Sequence, residues 1–258
     1  MILTAKDYYE KTAKDYDKEY QTPYFKLYHE ITWENIKRFL PKKKGTKILD
    51  AGGGTGYWAI KLARLGYRVV LTDVAENMLK VAERKIKKEK INQIEIKKVD
   101  IRDMSCFSSN SFDMVIAEGD PVSYCFNAKK AIKELARVAK QKSCIIVSVD
   151  NKYTFLSRLL IEGNFKAIPK FLKTGILKRD FKFQAFSTNE LKKIFENCGL
   201  RVIRIIGKPI LVQTIPREKR DEIIKKNFQK LLKLELELCD NPNLVGVGWH
   251  LEIVGIKK

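Results

Sequence analysis

The chain has 258 residues, with 51 Lys and Arg against 31 Asp and Glu for a formal net charge of +20, and 45% of it is hydrophobic. That is enough apolar material for one large domain with additions; no stretch approaches the ~20 apolar residues of a membrane span, and the N-terminal order lacks the basic-then-apolar pattern of a secretory signal, so a cytoplasmic protein is expected. Five scattered cysteines (106, 125, 144, 198 and 239) and two distant histidines, His29 and His250, show no metal-ligand spacing; reduced thiols and no bound metal are expected, with each histidine packed or at the surface.

The positive charge suits an anionic partner. Its lysines are nevertheless spread over 42–44, 85–98, 166–182 and 225–233, on segments that read as exposed helix faces, so a solvated surface of the heat-adapted kind is favoured over a dedicated nucleic-acid face.

Residues 5–40 form an amphipathic lead-in rich in aromatics, among them Tyr8, Tyr9, Tyr16, Tyr20, Tyr24, Phe25, Tyr28 and Trp33. Packing against a sheet is the simpler role for most of these rings. Residues 47–56, Lys-Ile-Leu-Asp-Ala-Gly-Gly-Gly-Thr-Gly, then read as a buried strand running through Asp50 and Ala51 into a loop of Gly52, Gly53, Gly54 and Gly56. Glycines at 52, 54 and 56 permit positive φ and the close approach of a ligand. Trp58, Leu62 and Leu65 recur at helical spacing over 57–65, with Gly66 as a terminator. A strand, a glycine turn and a helix N-terminus make a nucleotide-type site.

The dinucleotide fingerprint would need its third glycine at Tyr57; here the last glycine falls one residue early, giving D-x-G-x-G-x-G, and no Gly-Lys-Ser/Thr follows to make a phosphate loop. A strand over 68–72 ends in Asp73, 17 residues beyond Gly56. Helix 75–88, a strand from Ile94 toward Asp100, a strand in Ser111-Phe-Asp-Met-Val-Ile-Ala-Glu118-Gly-Asp120, helix 128–140 and a strand to Asp150 complete half of a doubly wound sheet. Right-handed crossovers bring Gly52, Asp73 and Glu118 to one crevice. After a basic, aromatic stretch at 151–182, Ser187-Thr-Asn-Glu190 is a capping box for a helix ending near Gly199. A strand at 200–206, a long helix at 216–238 and a strand at 247–256, antiparallel to the 200–206 strand, close the chain.

ILDAGGGTG resembles motif I of the class I S-adenosylmethionine-dependent methyltransferases, and Asp73, Asp100 and the Glu118 segment follow in that family's order. The resemblance implies an α/β, Rossmann-like seven-stranded fold, mostly parallel with an antiparallel last strand, plus helical insertions. It divides a single domain over 1–258 into N-terminal helices (1–45), a cofactor core (46–150) and lid or substrate insertions (151–186 and 207–245). It implies S-adenosyl-L-methionine as cofactor, with S-adenosyl-L-homocysteine as product. Asp73 would bind the ribose hydroxyls and Asp100 lie near the adenine amino group, with Val74, Met78 and Ile101 beside them; Glu118 would face cofactor and acceptor. Asp50 would order the loop (Ala51, Gly52, Gly53, Gly54, Gly56) and the methionine end. Thr12-Ala-Lys-Asp-Tyr16-Asp is similar to an A-x-x-Y-D element whose tyrosine touches the cofactor, which singles out Tyr16; Tyr28 and Trp33 are weaker acceptor-pocket candidates.

In-line displacement at a sulfonium needs alignment, which can contribute ~7–11 kcal/mol, and a base only where the acceptor is protonated. Glu118 or Asp120 could serve, and no residue is assigned as catalytic. A closer resemblance, carried by ILDAGGGTGYWAIKLARLGYRVVLTDVAENML, Glu162-Gly-Asn-Phe165 and Leu234-Glu-Leu-Glu-Leu-Cys239, is to the methyltransferases of tRNA wobble 5-carboxymethoxyuridine. Tyr28 stands about where they place an anion-recognising arginine, and a tyrosine cannot replace a guanidinium fork. A small-molecule acceptor is therefore favoured. A tRNA acceptor comes second and predicts a basic strip across the cofactor mouth; a non-catalytic cofactor-binding protein comes third.

Overall fold

The computed structural model describes residues 3–258. Its lead-in is three helices, α1 (Ala5–Thr12), α2 (Tyr16–Glu19) and α3 (Pro23–Arg38). Thr4 and Asp7 cap α1 reciprocally, and α3 starts where the Thr22 hydroxyl accepts the Phe25 N–H, with Pro23 in the first turn. The alternating region follows as β1 (Lys47–Ala51), α4 (Tyr57–Arg64), β2 (Arg68–Asp73), α5 (Glu76–Lys88), β3 (Ile94–Lys98), β4 (Phe112–Ala117), α6 (Pro121–Tyr124), α7 (Ala128–Val138) and β5 (Ala139–Asp150). Beyond it lie α8 (Lys152–Ile161), α9 (Ile168–Thr174), β6 (Ile176–Lys178), β7 (Lys182–Gln184), α10 (Thr188–Asn197), β8 (Leu200–Lys208), α11 (Arg217–Leu238) and β9 (His250–Lys257).

Seven strands form one sheet in the order β3-β2-β1-β4-β5-β9-β8. β1 to β5 are parallel, and β9 runs antiparallel to both β5 and β8, so only the last strand is reversed. The side-chain period of two divides the apolar strands between two layers. Leu49, Val70, Val115, Ile145 and Ile253 pack on one face with α7 and α10, and Ile48, Val69, Leu71, Met114, Ile116, Ile146 and Val254 on the other with α4 and α5. Truncating one of these fully buried side chains to alanine costs ~2–5 kcal/mol.

Several details differ from the sequence expectation. Helix α7 stops at Val138 rather than continuing to Lys140, because the Val138 carbonyl accepts the Ser111 N–H at 2.7 Å and the chain enters β5 there. The last strand begins at His250, since Val245–Val247 is a 3-10 turn and the Trp249 N–H is taken by the Pro209 carbonyl. Pro216 caps the long helix rather than opening it, and that helix is kinked at Asn227. The 151–186 segment adds a β6–β7 hairpin to its helices, because Phe181 and Phe183 turn inward onto Phe155 and Phe171.

Candidate active site

The carboxyl ends of β1, β2, β3 and β4 open into a cavity of ≈570 Å³. Gly52, Gly53 and Gly54 line it from the loop after β1, Asp73, Val74 and Met78 from the β2–α5 junction, Asp100 and Ile101 from beyond β3, Glu118 from beyond β4, and Tyr16 from the lead-in. Asp50, Ala51 and Gly56 lie outside that lining: the first two are fully buried beneath the loop, and Gly56 packs under α4 against Ala82.

Gly52, Gly54 and Gly56 all take positive φ, at +71°, +55° and +78°. At Gly52 a Cβ would also fall 2.5 Å from the Pro121 ring, and at Gly53 a Cβ would fall 2.5 Å from the Asp50 carboxyl group. The loop is thus pressed between the segment after β4 and the acid below it, with no room for side chains. Asp73 ties the loop to β2. Its Oδ2 accepts the Gly54 N–H at 3.0 Å and its Oδ1 the Ala75 N–H at 2.8 Å. Burial pushes its pKa up to about 6 even so. Asp50 is pushed up to about 7 by burial, which the nearby Ala59 N–H only partly offsets; among the described residues its oxygens have no partner in hydrogen-bonding geometry. Asp100 is held differently: Arg102 grips it through Nη2–Oδ2 at 2.5 Å and Nε–Oδ1 at 2.9 Å, keeping the carboxyl below its ordinary pKa.

Aromatic rings make up much of the rest of the lining. Tyr9, Tyr16, Tyr20, Tyr57 and Tyr124 contribute, with Trp58. The Tyr20 hydroxyl donates to that of Tyr16 at 3.1 Å, and burial pushes Tyr16 up to about 12. Sequence reasoning missed Tyr9, Tyr20 and Tyr124. The signal for Tyr20 was its i,i+4 spacing from Tyr16; Tyr9 lies one helix away and left none. Tyr28 and Trp33 fall outside the lining. Trp33 stacks on Trp58 at 6.2 Å in the core, and Tyr28 meets His250 edge-on at 5.4 Å.

The candidate bases are differently placed. Glu118 borders the cavity, but its carboxylate is buried and paired to Lys208 Nζ at 2.6 Å. Lys208 also bonds Glu252 and, at 2.9 Å, the Thr32 hydroxyl. Asp120, in the left-handed region at φ +65°, lies outside the lining, with Oδ2 3.4 Å from His250 Nε2. Expected as a packed residue, His250 instead meets two acids, Asp150 Oδ1 being 3.5 Å away. His29 stacks on Tyr57 at 4.4 Å.

Polar ties hold the lead-in over the cavity. Glu10 caps α5 from outside, accepting the Glu76 and Asn77 N–H groups at 2.7 and 2.8 Å, where Ala75 offers no side-chain cap. Asp17 accepts the Thr55 hydroxyl at 2.6 Å and Lys85 Nζ at 2.8 Å.

Residues 48–142 match a family model described as a methyltransferase domain. The demethylmenaquinone methyltransferase of Listeria welshimeri is 32% identical over 211 residues, which span 77% of this chain and 88% of that protein. The chain belongs to the methyltransferases. This methyltransferase is also similar to the tRNA 5-carboxymethoxyuridine methyltransferase of Escherichia coli K12, at 21% identity over 92% of this chain and 91% of that one. A Thermotoga maritima structure, described as a SAM-dependent methyltransferase and possible histamine N-methyltransferase, superimposes with a TM-score of 0.62 and 17% identity, covering 97% of this chain and 98% of its own. The seven-stranded sheet with its reversed last strand is the Rossmann-like methyltransferase fold. Among the described residues, no helix is long and apolar enough to cross a membrane.

Proposed function

We propose that this methyltransferase holds S-adenosyl-L-methionine in the ≈570 Å³ cavity and methylates a small organic acceptor there, leaving S-adenosyl-L-homocysteine. The observation that carries the reading is Asp73, a carboxylate at the cavity wall fixed by two backbone N–H groups and so presented as an acceptor for a pair of vicinal hydroxyls. The cradle fits this donor. The loop has no Cβ where adenosine and methionine must pass, and the walls combine tyrosine faces with carboxyl groups, which favour a sulfonium.

When bound, S-adenosylmethionine supplies an electrophilic methyl group. Asp73 and the loop would hold its ribose, Asp100 and Ile101 would border the purine, and Tyr16 with its neighbours would keep water from the sulfonium side. Asp50 acts below the loop, supporting Gly53. Glu118 is paired to Lys208 and shapes the wall, while burial and the neighbouring Glu252 push its carboxyl up to about 8. Alignment of acceptor, methyl and sulfur by this enclosure is the main catalytic resource.

The covering lead-in favours a small acceptor, and the Listeria relative is named for one, demethylmenaquinone. A tRNA acceptor draws support from the +20 charge, the E. coli relative and the basic residues Lys6, Arg102 and Lys182 on the lining. Calorimetric titration with S-adenosylmethionine, with Asp73→Ala as control, tests the donor; a wild type that does not bind sinks the proposal. Transfer of labelled methyl into fractionated extract tests the acceptor: label in low-mass metabolites supports the main reading, and label in tRNA replaces it with the second.

A further inference from the structure

The sheet register assembles a second group of side chains beside the cavity. Asp150, the last residue of β5, pairs across the ladder with His250, the first residue of β9. Asp120 joins them from the end of β4, because Ser148 Oγ on β5 accepts both the Gly119 and the Asp120 N–H, at 3.0 and 3.1 Å. Ser123 Oγ in turn accepts the Asp150 N–H at 2.9 Å. Three neighbouring strands and a left-handed turn thus fix three side chains whose donor atoms lie within 4.8 Å of one another.

Next to it stands a buried charged group that carries its own ammonium, Lys208 paired with Glu118 and Glu252 and flanked by Thr32 and Asn35. The Asp120–Asp150–His250 group holds no lysine or arginine. Side-chain exposure is 6% for Asp120 and 5% for Asp150, yet Asp120 Oδ1, Asp150 Oδ2 and His250 Nδ1 are buried with no hydrogen-bond partner among the described residues. Two buried carboxyl groups side by side call for a cation, and Lys208 of the neighbouring cluster is already committed to Glu118 and Glu252. His250 Nε2 lies within ion-pair distance of both acids, at 3.4 and 3.5 Å, which is longer than the ~2.7–2.9 Å of a charge-assisted bond.

Those separations match something else. Ligand bonds of ~2.0–2.2 Å around a four-coordinate ion set neighbouring donors ~3.3–3.6 Å apart. We propose that Asp120, Asp150 and His250 form a binding site for one divalent transition-metal ion, two carboxylate oxygens and one imidazole nitrogen being a donor set suited to Mn²⁺, Fe²⁺, Co²⁺ or Zn²⁺ rather than to Mg²⁺ or Ca²⁺. Gly119, which lines the cavity, is bonded to Asp120, so an ion here would fix the wall at the end of β4. The site stands on its own geometry and does not depend on which acceptor is methylated.

The test uses full-length protein stripped with EDTA and titrated with Zn²⁺, Mn²⁺, Co²⁺ and Mg²⁺ by calorimetry, with the melting temperature followed in parallel. Expected are one equivalent of Zn²⁺, Mn²⁺ or Co²⁺ per chain, a raised melting temperature, and visible Co²⁺ bands of a low-coordinate nitrogen and oxygen site. Asp150→Asn and His250→Gln should each weaken binding at least tenfold. Their melting without metal and their binding of S-adenosylmethionine establish that they fold. No saturable binding by the wild type, or equal binding by folded variants, overturns the inference. A protein that binds metal but not S-adenosylmethionine leaves the site standing and removes the proposed donor instead.

Discussion

The Asp73 carboxylate receives the Gly54 N–H at 3.0 Å, so the acid that ends the second strand clamps the loop that follows the first. Its other oxygen holds the Ala75 N–H at the entry to α5. One side chain therefore sets the spacing of loop, strand end and helix, and any ligand that lies along the loop meets an acceptor already in position.

Asp73→Asn keeps the shape and removes the charge. Loss of charge-assisted acceptance is worth ~1.5–3 kcal/mol, so S-adenosylmethionine should bind roughly 10–100-fold more weakly by calorimetry. Because burial raises the Asp73 pKa to about 6, wild-type affinity should also fall as pH drops below that value, as the acceptor becomes protonated. Wild-type affinity in the Asp73→Asn variant at pH 8 would remove Asp73 from the site.

Asp50 makes a stability prediction of definite sign. Burial raises its folded pKa to about 7 from an ordinary value of 3.8. Between those values the folded chain keeps a proton that the unfolded chain has released, so stability falls as pH rises from 4 to 7, by on the order of 4 kcal/mol for this group. Asp50→Asn should therefore raise the melting temperature of the ligand-free protein more at pH 8 than at pH 5. An equal shift at both pH values would show that Asp50 is not the titrating group.

That the glycine loop, Asp73 and Glu118 meet at one crevice was legible in the sequence because a tight loop favours glycine and strand ends in a parallel sheet share one edge, whereas Asp100 was singled out by the family resemblance. The capping box at Ser187 and Glu190 was legible for a local reason too. Register was not. The meeting of Asp120, Asp150 and His250 depends on which β9 residue pairs with Asp150, and moving the start of β9 by three residues changes that partner. Tyr28 and Trp33, weaker pocket candidates from an aromatic-rich lead-in, lie elsewhere because ring-rich composition does not show what a ring packs against: Trp33 stacks on Trp58 of α4, and Tyr28 meets His250 and Lys208 of the β8–β9 pair.

Glu10 should behave as a latch. In Glu10→Gln the N-terminus of α5 loses an anionic cap worth ~0.5–2 kcal/mol, and α1, which has no fully buried residue, loses a charged tie to α5. Limited trypsin digestion should cut faster after Lys11 and Lys14 than in the wild type, and S-adenosylmethionine should slow the cut in both. Unchanged cleavage would mean that Glu10 does not hold the lead-in.

Lys208 tests the buried charge cluster. Burial disfavours its ammonium, but Glu118 and Glu252 more than offset that and hold its pKa above the ordinary value. Lys208→Met would leave both carboxyl groups buried without a counter-charge, a loss of ~3–5 kcal/mol. Since the stranded acids can escape by taking up protons, the deficit in urea midpoint should be larger at pH 8.5 than at pH 6. Adding Glu118→Gln to Lys208→Met removes one of the two stranded charges and should recover part of the loss. If the double variant is no more stable than Lys208→Met at pH 8.5, the loss comes from packing of the lysine stem beneath Tyr28, whose ring centroid lies 5.0 Å from Nζ, and not from charge.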